Sequence, residues 1–520
     1  MWLSLQTWKK RRFGALALAL SAWARPAALV ALSNCSSGRL AGRAGTTTTT
    51  VITNVAIVST RDGTVQQNMS VVLQGAKIQQ IAPSASVQPD SDAQVVDGTG
   101  KYLVPGFSDM HTHVMQAADS TPCFWPQMIA NGVTCFREMA GSAAEVARAK
   151  KLNADSASGE VLAPELLMTP STILTSADPA MATQLVQQEK SEGADFIKIV
   201  VETPDTFNAV MAEAKAQGLP VAGHISPSIG ARAASDAGVR SIEHLGPDLG
   251  ILVDCSTDEA AVRAAIIATP TPALTSAQVQ AMAASPFLNR APQAPLFQHV
   301  IDTYDDGKCR ALAQTFVKNQ TWHTVTLFRI ATLTLSDDPS FQNDPDQQYI
   351  AKSTLALWHQ LADQFAANTS ASAHATFAGL FKLQTHVLQV FRDQGVRMLA
   401  GSDDTGIWCV PGFGLHQEFR RLSGVGFTPL QVLQMTTLNA AEFSNRMDSM
   451  GAVEVGKNAD LVLLDADPMA SADNLDRIDA VFVKGRYQSR SDLDAMLAAS
   501  AAAYANGDVG TARDAKAAHE

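Results

Sequence analysis

The sequence predicts an α/β protein in which a parallel sheet of repeated strand and helix units is flanked at both chain ends by short strands of a small β layer. Three observations carry that expectation. Alternating strands separated by Gly, Asp, Asn or Pro turns follow the Thr-rich linker "GTTTTT". From Pro105 onward, apolar strands recur after helix-like segments that end near glycine, a rhythm that implies parallel strands. Strand-like text then returns in "GAVEVGKNADLVLLDADP" and "IDAVFVKGRYQ", where it can rejoin the first β layer.

Taken in order, residues 1–46 read as an export signal and linker. Lys9, Lys10, Arg11 and Arg12 precede the apolar run "FGALALALSAWA", which Arg25 breaks too soon for a membrane span. Ala22-Trp23-Ala24 has the small-x-small form of ordinary signal cleavage, and "ALSNC" resembles a bacterial lipoprotein box ending at Cys35. The expected location is therefore the bacterial periplasm or cell envelope, with a lipid on Cys35 as the sole expected membrane attachment. Residues 47–105 hold the first β layer, in "VITNVAIVST", "MSVVLQGAKIQQIAP" and "AQVVDGTGKYLVPG". Residues 106–448 hold the strand and helix units, with strands "NGVTCFREM", "GADFIKIVV", "GLPVAGHIS", "GVRSIEHLG" and "GVRMLAGSDD". The stretch 249–372 loses that rhythm and reads as a helical insertion around one strand, "TWHTVTL", placed where lids form. Residues 449–490 supply the returning strands, and 491–520 a terminal helix that frays.

Composition narrows the function. With 520 residues, 46% hydrophobic and 17% charged, the chain is long and apolar enough for a large core and excludes general disorder. A net charge of -11, without basic clusters beyond the N-terminus, argues against a nucleic-acid partner and for small solutes. The six cysteines contain no CxxC pair. Cys255 and Cys309 flank the insertion, leaving two alternatives: a disulfide that closes it, or separate buried thiols. A homo-oligomer stays open.

The chemistry lies in where polar residues interrupt apolar strands. His111 and His113 close "VPGFSDMHTHV"; in a strand they leave one face about 7 Å apart along the chain and can converge on one ion. Lys198 sits inside "FIKIV", His224 follows "PVAG", His244 follows "RSIE", and Asp403 follows "MLAGS". Each falls at or near the C-terminal end of a candidate parallel strand, where a (β/α)8 barrel gathers its catalytic groups on one rim. A single buried histidine has an ordinary structural explanation; the ordered set points to a metal site. Arg137 and His323, in "TWHTVTL", are the candidate substrate-binding residues: Arg137 is suited to a bidentate grip on a carboxylate or to a salt bridge with Glu138 or another rim acid, and His323 to a hydrogen bond with the scissile carbonyl or to a place in the core. Trp125, Trp322 and Trp408 are candidate pocket aromatics.

These strands, with "TPLQVLQMTTLNAAEF" and "VGKNADLVLLDADP", resemble the amidohydrolase superfamily from Ile52 to Gly485, especially its imidazolonepropionase-related and dipeptidase-like branch. The resemblance implies a distorted (β/α)8 barrel joined to a β-sandwich built from both chain ends. It further implies that His111, His113 and Asp403 bind one divalent ion and His224 and His244 a second, with zinc expected. Lys198 would bridge the two as its carbamate, because an ammonium cannot ligate a cation. Asp403 would take a proton from a metal-bridging hydroxide and pass it to the leaving amine. The expected activity is hydrolysis of the C–N bond of a small amide, a dipeptide or an N-acyl amino acid. The alternatives are a single-metal ring-opening hydrolase or deaminase acting on cyclic amidines, and a catalytically inactive binding protein on the same fold.

Overall fold

A computed structural model describes residues 49–115, 121–246, 249–269 and 284–506. The export signal, both cleavage sites with Cys35, and the tail beyond Asn506 lie outside the described residues. Five strands open the fold: Thr49–Val58 (β1), Val65–Gln74 (β2), Lys77–Pro83 (β3), Gln94–Asp97 (β4) and Tyr102–Pro105 (β5). The middle of the chain supplies Phe107–Thr112 (β6), Val133–Glu138 (β7), Glu165–Met168 (β8), Ile173–Leu174 (β9), Ile197–Val201 (β10), Val221–Ile225 (β11), Ser241–Glu243 (β12), Trp322–Thr324 (β13) and Met398–Leu399 (β14). The chain then returns through Leu461–Leu464 (β15), Ile478–Val483 (β16) and Arg486–Ser489 (β17).

Both chain ends do share a sheet. Its order is β17-β16-β15-β5-β1-β2-β3, with β4 also paired to β1, and β15 runs antiparallel to β5. The alternation that marks these segments in the sequence buries one face: Ile52, Val55, Val71, Leu73, Leu103, Leu461, Leu463 and Phe482 form a compact cluster of their own. The expected β-sandwich is not confirmed: among the described residues, the strands of both chain ends make this one mixed sheet.

The middle of the chain forms two parallel sheets, β6-β7-β8 and β14-β13-β12-β11-β10-β9. Helices separate most of the strands, as the sequence rhythm requires. Their ends are written locally: Asp178 and Thr203 accept backbone N–H bonds at the starts of Pro179–Glu192 and Pro204–Gln217, each with proline in the first turn. Those helices end on Gly193 and Gly218 in the left-handed conformation that glycine adopts without a Cβ penalty.

"TWHTVTL" holds a strand, as read, and it belongs to the main sheet: β13 pairs in register with β12 on one side and β14 on the other. The stretch 249–372 is thus divided by a sheet strand into two helical segments. β8 and β9 went unread because the first is bounded by polar residues and the second is two residues long. Cys255 and Cys309 are joined in a disulfide across a sequence separation of 54, which by loop closure removes about 4 kcal/mol of freedom from the unfolded chain. The terminal helix is present as read, over Arg490–Asn506; it buries Leu493, Ala503 and Tyr504, and Ser500 donates to the Cys123 carbonyl. Among the described residues, no helix is long and apolar enough to cross a membrane.

Candidate metal centre

His111 ends β6, and the chain beyond β14 lies directly against it. Met110 N–H donates to the Ala400 carbonyl at 3.0 Å and Asp403 N–H to the His111 carbonyl at 2.8 Å. Gly401 makes that approach feasible, since a Cβ there would stand 2.8 Å from the His111 Cβ. The result is a cluster no stretch of sequence contains. One ligand atom each from His111, His113 and Asp403 lie within 4.8 Å of one another. Asp403 Oδ1 is 3.4 Å from His111 Nε2 and 3.1 Å from His113 Nε2.

The other histidines stand beside this group. The His111 and His244 rings are 4.4 Å apart and the His224 and His244 rings 4.9 Å apart, by centroids. His244 shares its Nδ1 with the Thr326 hydroxyl at 2.7 Å, and that nitrogen is 4.0 Å from Asp403 Oδ2. His244, Thr326 and Asp403 all adopt left-handed backbone, with φ of 58°, 48° and 54°. Such conformations are costly for residues other than glycine and concentrate where a site must be held in shape.

Lys198 is 2% exposed, and its Nζ has no hydrogen-bond partner. Burial pushes its amine down to about 8, against the pull of Glu243 and Asp403. Burial, with the Lys198 charge, also drives His111 and His224 below the ordinary imidazole range, leaving them as neutral donors. Burial opposes ionisation of Asp403, yet His244, His111, the His113 hydrogen bond and Arg329 together hold it well below the usual carboxylate range. Neutral imidazoles around an ionised carboxylate are the donor set a divalent cation requires. His111 Nε2 is buried without a hydrogen-bond partner and faces into the group. The residues present therefore fit a metal ion.

The structure brings together six of the eight sequence-selected residues, His111, His113, Lys198, His224, His244 and Asp403. The two substrate-binding candidates are corrected. Arg137 is fully buried, donating to the Met110 carbonyl, Ser241, Thr324 and both Glu243 oxygens, so its guanidinium is committed inside the protein. His323 belongs to the opposite face of β13 from Thr324 and packs against Phe316 and Phe391, with ring centroids 4.5 and 5.2 Å away. The tryptophans also pack: Trp322 sits in a buried cluster with Met110, Leu399 and Phe443, Trp125 lies against Phe136, and the Trp408 indole donates to the Ser336 carbonyl.

Two residues at the site escaped the sequence reading. Glu243 accepts from His111 Nδ1 at 2.8 Å. Arg329 donates from Nε to Asp403 Oδ2 at 3.1 Å and from Nη2 to the Ala284 carbonyl at 2.8 Å, tying the segment before β13 to the aspartate. Both carried the same signal, a lone charge inside an apolar run, in "SIEHL" and "LFRIA".

His323 provides a check on its reassignment. Burial lowers its imidazole from 6.5 to about 3, so the fold keeps it neutral while the unfolded chain takes up a proton between those values. Its contribution is complete above pH 6.5 and is lost as pH falls toward 3. His323→Leu should leave turnover essentially unchanged and flatten the acid limb of thermal melts of metal-stripped protein. A collapse in turnover would return His323 to the site.

The chain belongs to the amidohydrolase family, whose model matches residues 102–279 and 382–487. An imidazolonepropionase of Arthrobacter sp. (strain FB24) is 41% identical over 81 residues, 15% of this chain and 20% of the relative. An adenine deaminase of Rubrobacter xylanophilus is 31% identical over 86 residues, 16% of this chain and 14% of the relative. The chain thus aligns with a fifth or less of these curated relatives' lengths. Among solved structures, a bottromycin amidohydrolase superposes with a TM-score of 0.66 at 19% identity, covering 94% of this chain and 96% of that one. A Xaa-Pro dipeptidase with methionine bound in its active site gives 0.59 at 18% identity, covering 85% and 100%. At such identities the structural likeness speaks for the fold alone. Within that family, the His111, His113 and Asp403 group is one that could hold a metal ion.

Proposed function

We propose that the protein hydrolyses the C–N bond of a small amide, a dipeptide or an N-acyl amino acid, with two zinc ions and a carboxylated Lys198. The two parallel sheets are read as one distorted (β/α)8 barrel, supported by the hydrogen bonds that tie the end of β14 back to β6. His111, His113 and Asp403 would hold the first ion, His224 and His244 would hold the second, and carboxylated Lys198 would serve both. The observation that carries the two-ion reading is Lys198, a buried amine without a partner beside two histidines. A neutral amine adds CO2, forming an N–C bond and releasing one proton, and becomes an anionic oxygen ligand. Its lowered basicity leaves a larger neutral fraction at neutral pH than an ordinary lysine has.

Held by these residues, divalent ions would supply Lewis acidity, lowering the pKa of a water and polarising the scissile carbonyl. Asp403 does the proton work: its carboxylate receives the proton of the attacking water and returns it to the amine nitrogen as the C–N bond breaks. Arg329 on Oδ2 fixes the carboxylate's rotation, so that Oδ1 stays among the histidines. The ring-opening hydrolase or deaminase with one ion is the second reading, favoured by the activities named for the two curated relatives. Export to an oxidising compartment is also proposed, supported by the Cys255–Cys309 disulfide and the N-terminal signal pattern.

Elemental mass spectrometry of chain purified without chelator decides between these readings. About two ions per chain, with turnover of dipeptides or N-acyl amino acids, are expected of a dinuclear hydrolase. About one ion, with turnover of cyclic amidines, would favour the mononuclear reading. Failure to bind added zinc at all would refute both.

A further inference from the structure

Arg137 and Glu243 form a buried ion pair that no chemistry proposed above uses. Both are 0% exposed, in a region where an isolated charge is costly, so the pair needs a structural or functional reason. Arg137, on β7, donates Nε to the Met110 carbonyl of β6 at 2.6 Å and Nη2 to Thr324 of β13 at 2.8 Å. Its Nη1 reaches Ser241 of β12 at 3.3 Å, and its Nη2 lies 3.0 and 2.8 Å from the two Glu243 oxygens. The guanidinium also stands over the Phe443 ring at 5.0 Å. One side chain on β7 thereby bonds three other strands, β6, β12 and β13, around the carboxylate of Glu243. That carboxylate also accepts from the Ser241 hydroxyl on Oε1, and its Oε2 accepts from His111 Nδ1 at 2.8 Å.

We infer that Arg137 and Glu243 are positioning residues for metal capture: Arg137 immobilises Glu243, and Glu243 fixes the tautomer and orientation of the His111 ring. An ionised carboxylate only accepts hydrogen bonds. With Arg137 holding it ionised, the His111 proton must reside on Nδ1, which leaves the Nε2 lone pair directed at His113 and Asp403. Free imidazole samples both tautomers and all ring rotations; this ring has one of each. Arg137 bonds the carbonyl of Met110, the residue preceding His111, so the same guanidinium sets both the backbone and the ring of the ligand. The inference rests on the metal-site reading above and assigns to Arg137 a role in place of substrate binding.

The test uses full-length chain stripped of metal and titrated with zinc in competition with a chromophoric chelator. Glu243→Asp keeps the charge opposite Arg137 but withdraws the carboxylate from His111 by one methylene. It should stay folded in the metal-free melt and bind zinc about 10- to 100-fold more weakly. Its cobalt-substituted form should have an altered visible spectrum, which a general loss of stability would not produce. Unchanged zinc affinity in a folded Glu243→Asp chain would overturn the inference and leave the metal site standing. Failure of the unmodified chain to bind zinc would overturn the metal site itself. A second measurement needs no variant to fold: nitrogen-15 spectra of histidine-labelled, metal-stripped wild-type chain should place the His111 proton on Nδ1. A proton on Nε2 would overturn the inference.

Discussion

Asp403→Asn should fold and lose hydrolytic kcat/KM by roughly 10²- to 10⁴-fold, the range that removal of a positioned acid-base group produces. The substitution is isosteric, so packing is preserved and only charge and hydrogen-bond polarity change. In the native chain, Oδ2 accepts from Arg329 and Oδ1 faces the Nε2 atoms of His111 and His113 at 3.4 and 3.1 Å. Arg329 donates, so it will draw the oxygen of the introduced amide toward itself and turn the NH2 group toward the histidines. That group cannot accept a proton and cannot ligate a cation. Steady-state rates and bound zinc measured on the same preparation should fall together. A variant retaining activity within about tenfold of wild type would show that Asp403 does not carry the proton.

If Lys198 is the carboxylated ligand proposed, Lys198→Met should reduce bound metal from about two ions to one and lower turnover by several orders of magnitude, because the variant has no amine to carboxylate. Methionine keeps the stem and removes the group that burial opposes. The metal-stripped variant should consequently be more stable than wild type, not less, in CO2-free buffer. The sign follows from the lysine's basicity, lowered from 10.5 to about 8 by burial. Below pH 8 the folded chain carries the buried charge at a cost of about 3 kcal/mol, and that cost fades as pH rises to 10.5, where both states are neutral. Wild-type melting temperature should climb across that window, and the variant's should not. A variant with full activity and two bound ions would eliminate the carbamate bridge; bicarbonate that fails to accelerate zinc reconstitution of wild type would argue the same way.

The candidate ligands were legible in the sequence because metal chemistry restricts residue type so severely. Histidines one residue apart in an apolar strand, and single His, Lys and Asp residues at later strand ends, have few joint explanations. The returning β strands were legible for a similar reason, since alternation of period two states which face is buried. β9 and β14, at two residues each, are too short for any period to show.

What the sequence by itself determined, then, is the class of site and the strand rhythm that gathers it. It could not determine what each polar side chain touches. Arg137 and His323 look equally available on paper, yet Arg137 spends its donors on Met110, Ser241, Glu243 and Thr324 inside the protein, and His323 faces the aromatic rings of two packed helices. Those outcomes depend on the register of β12 against β13 and on the side of the sheet each residue faces, since a shift of one residue would exchange the faces. Glu243 acquired its place beside His111 in the same way, across 132 positions of sequence. Local pattern fixes residue type and period; hydrogen-bond partnership is set by distance between strands, which only the folded chain decides.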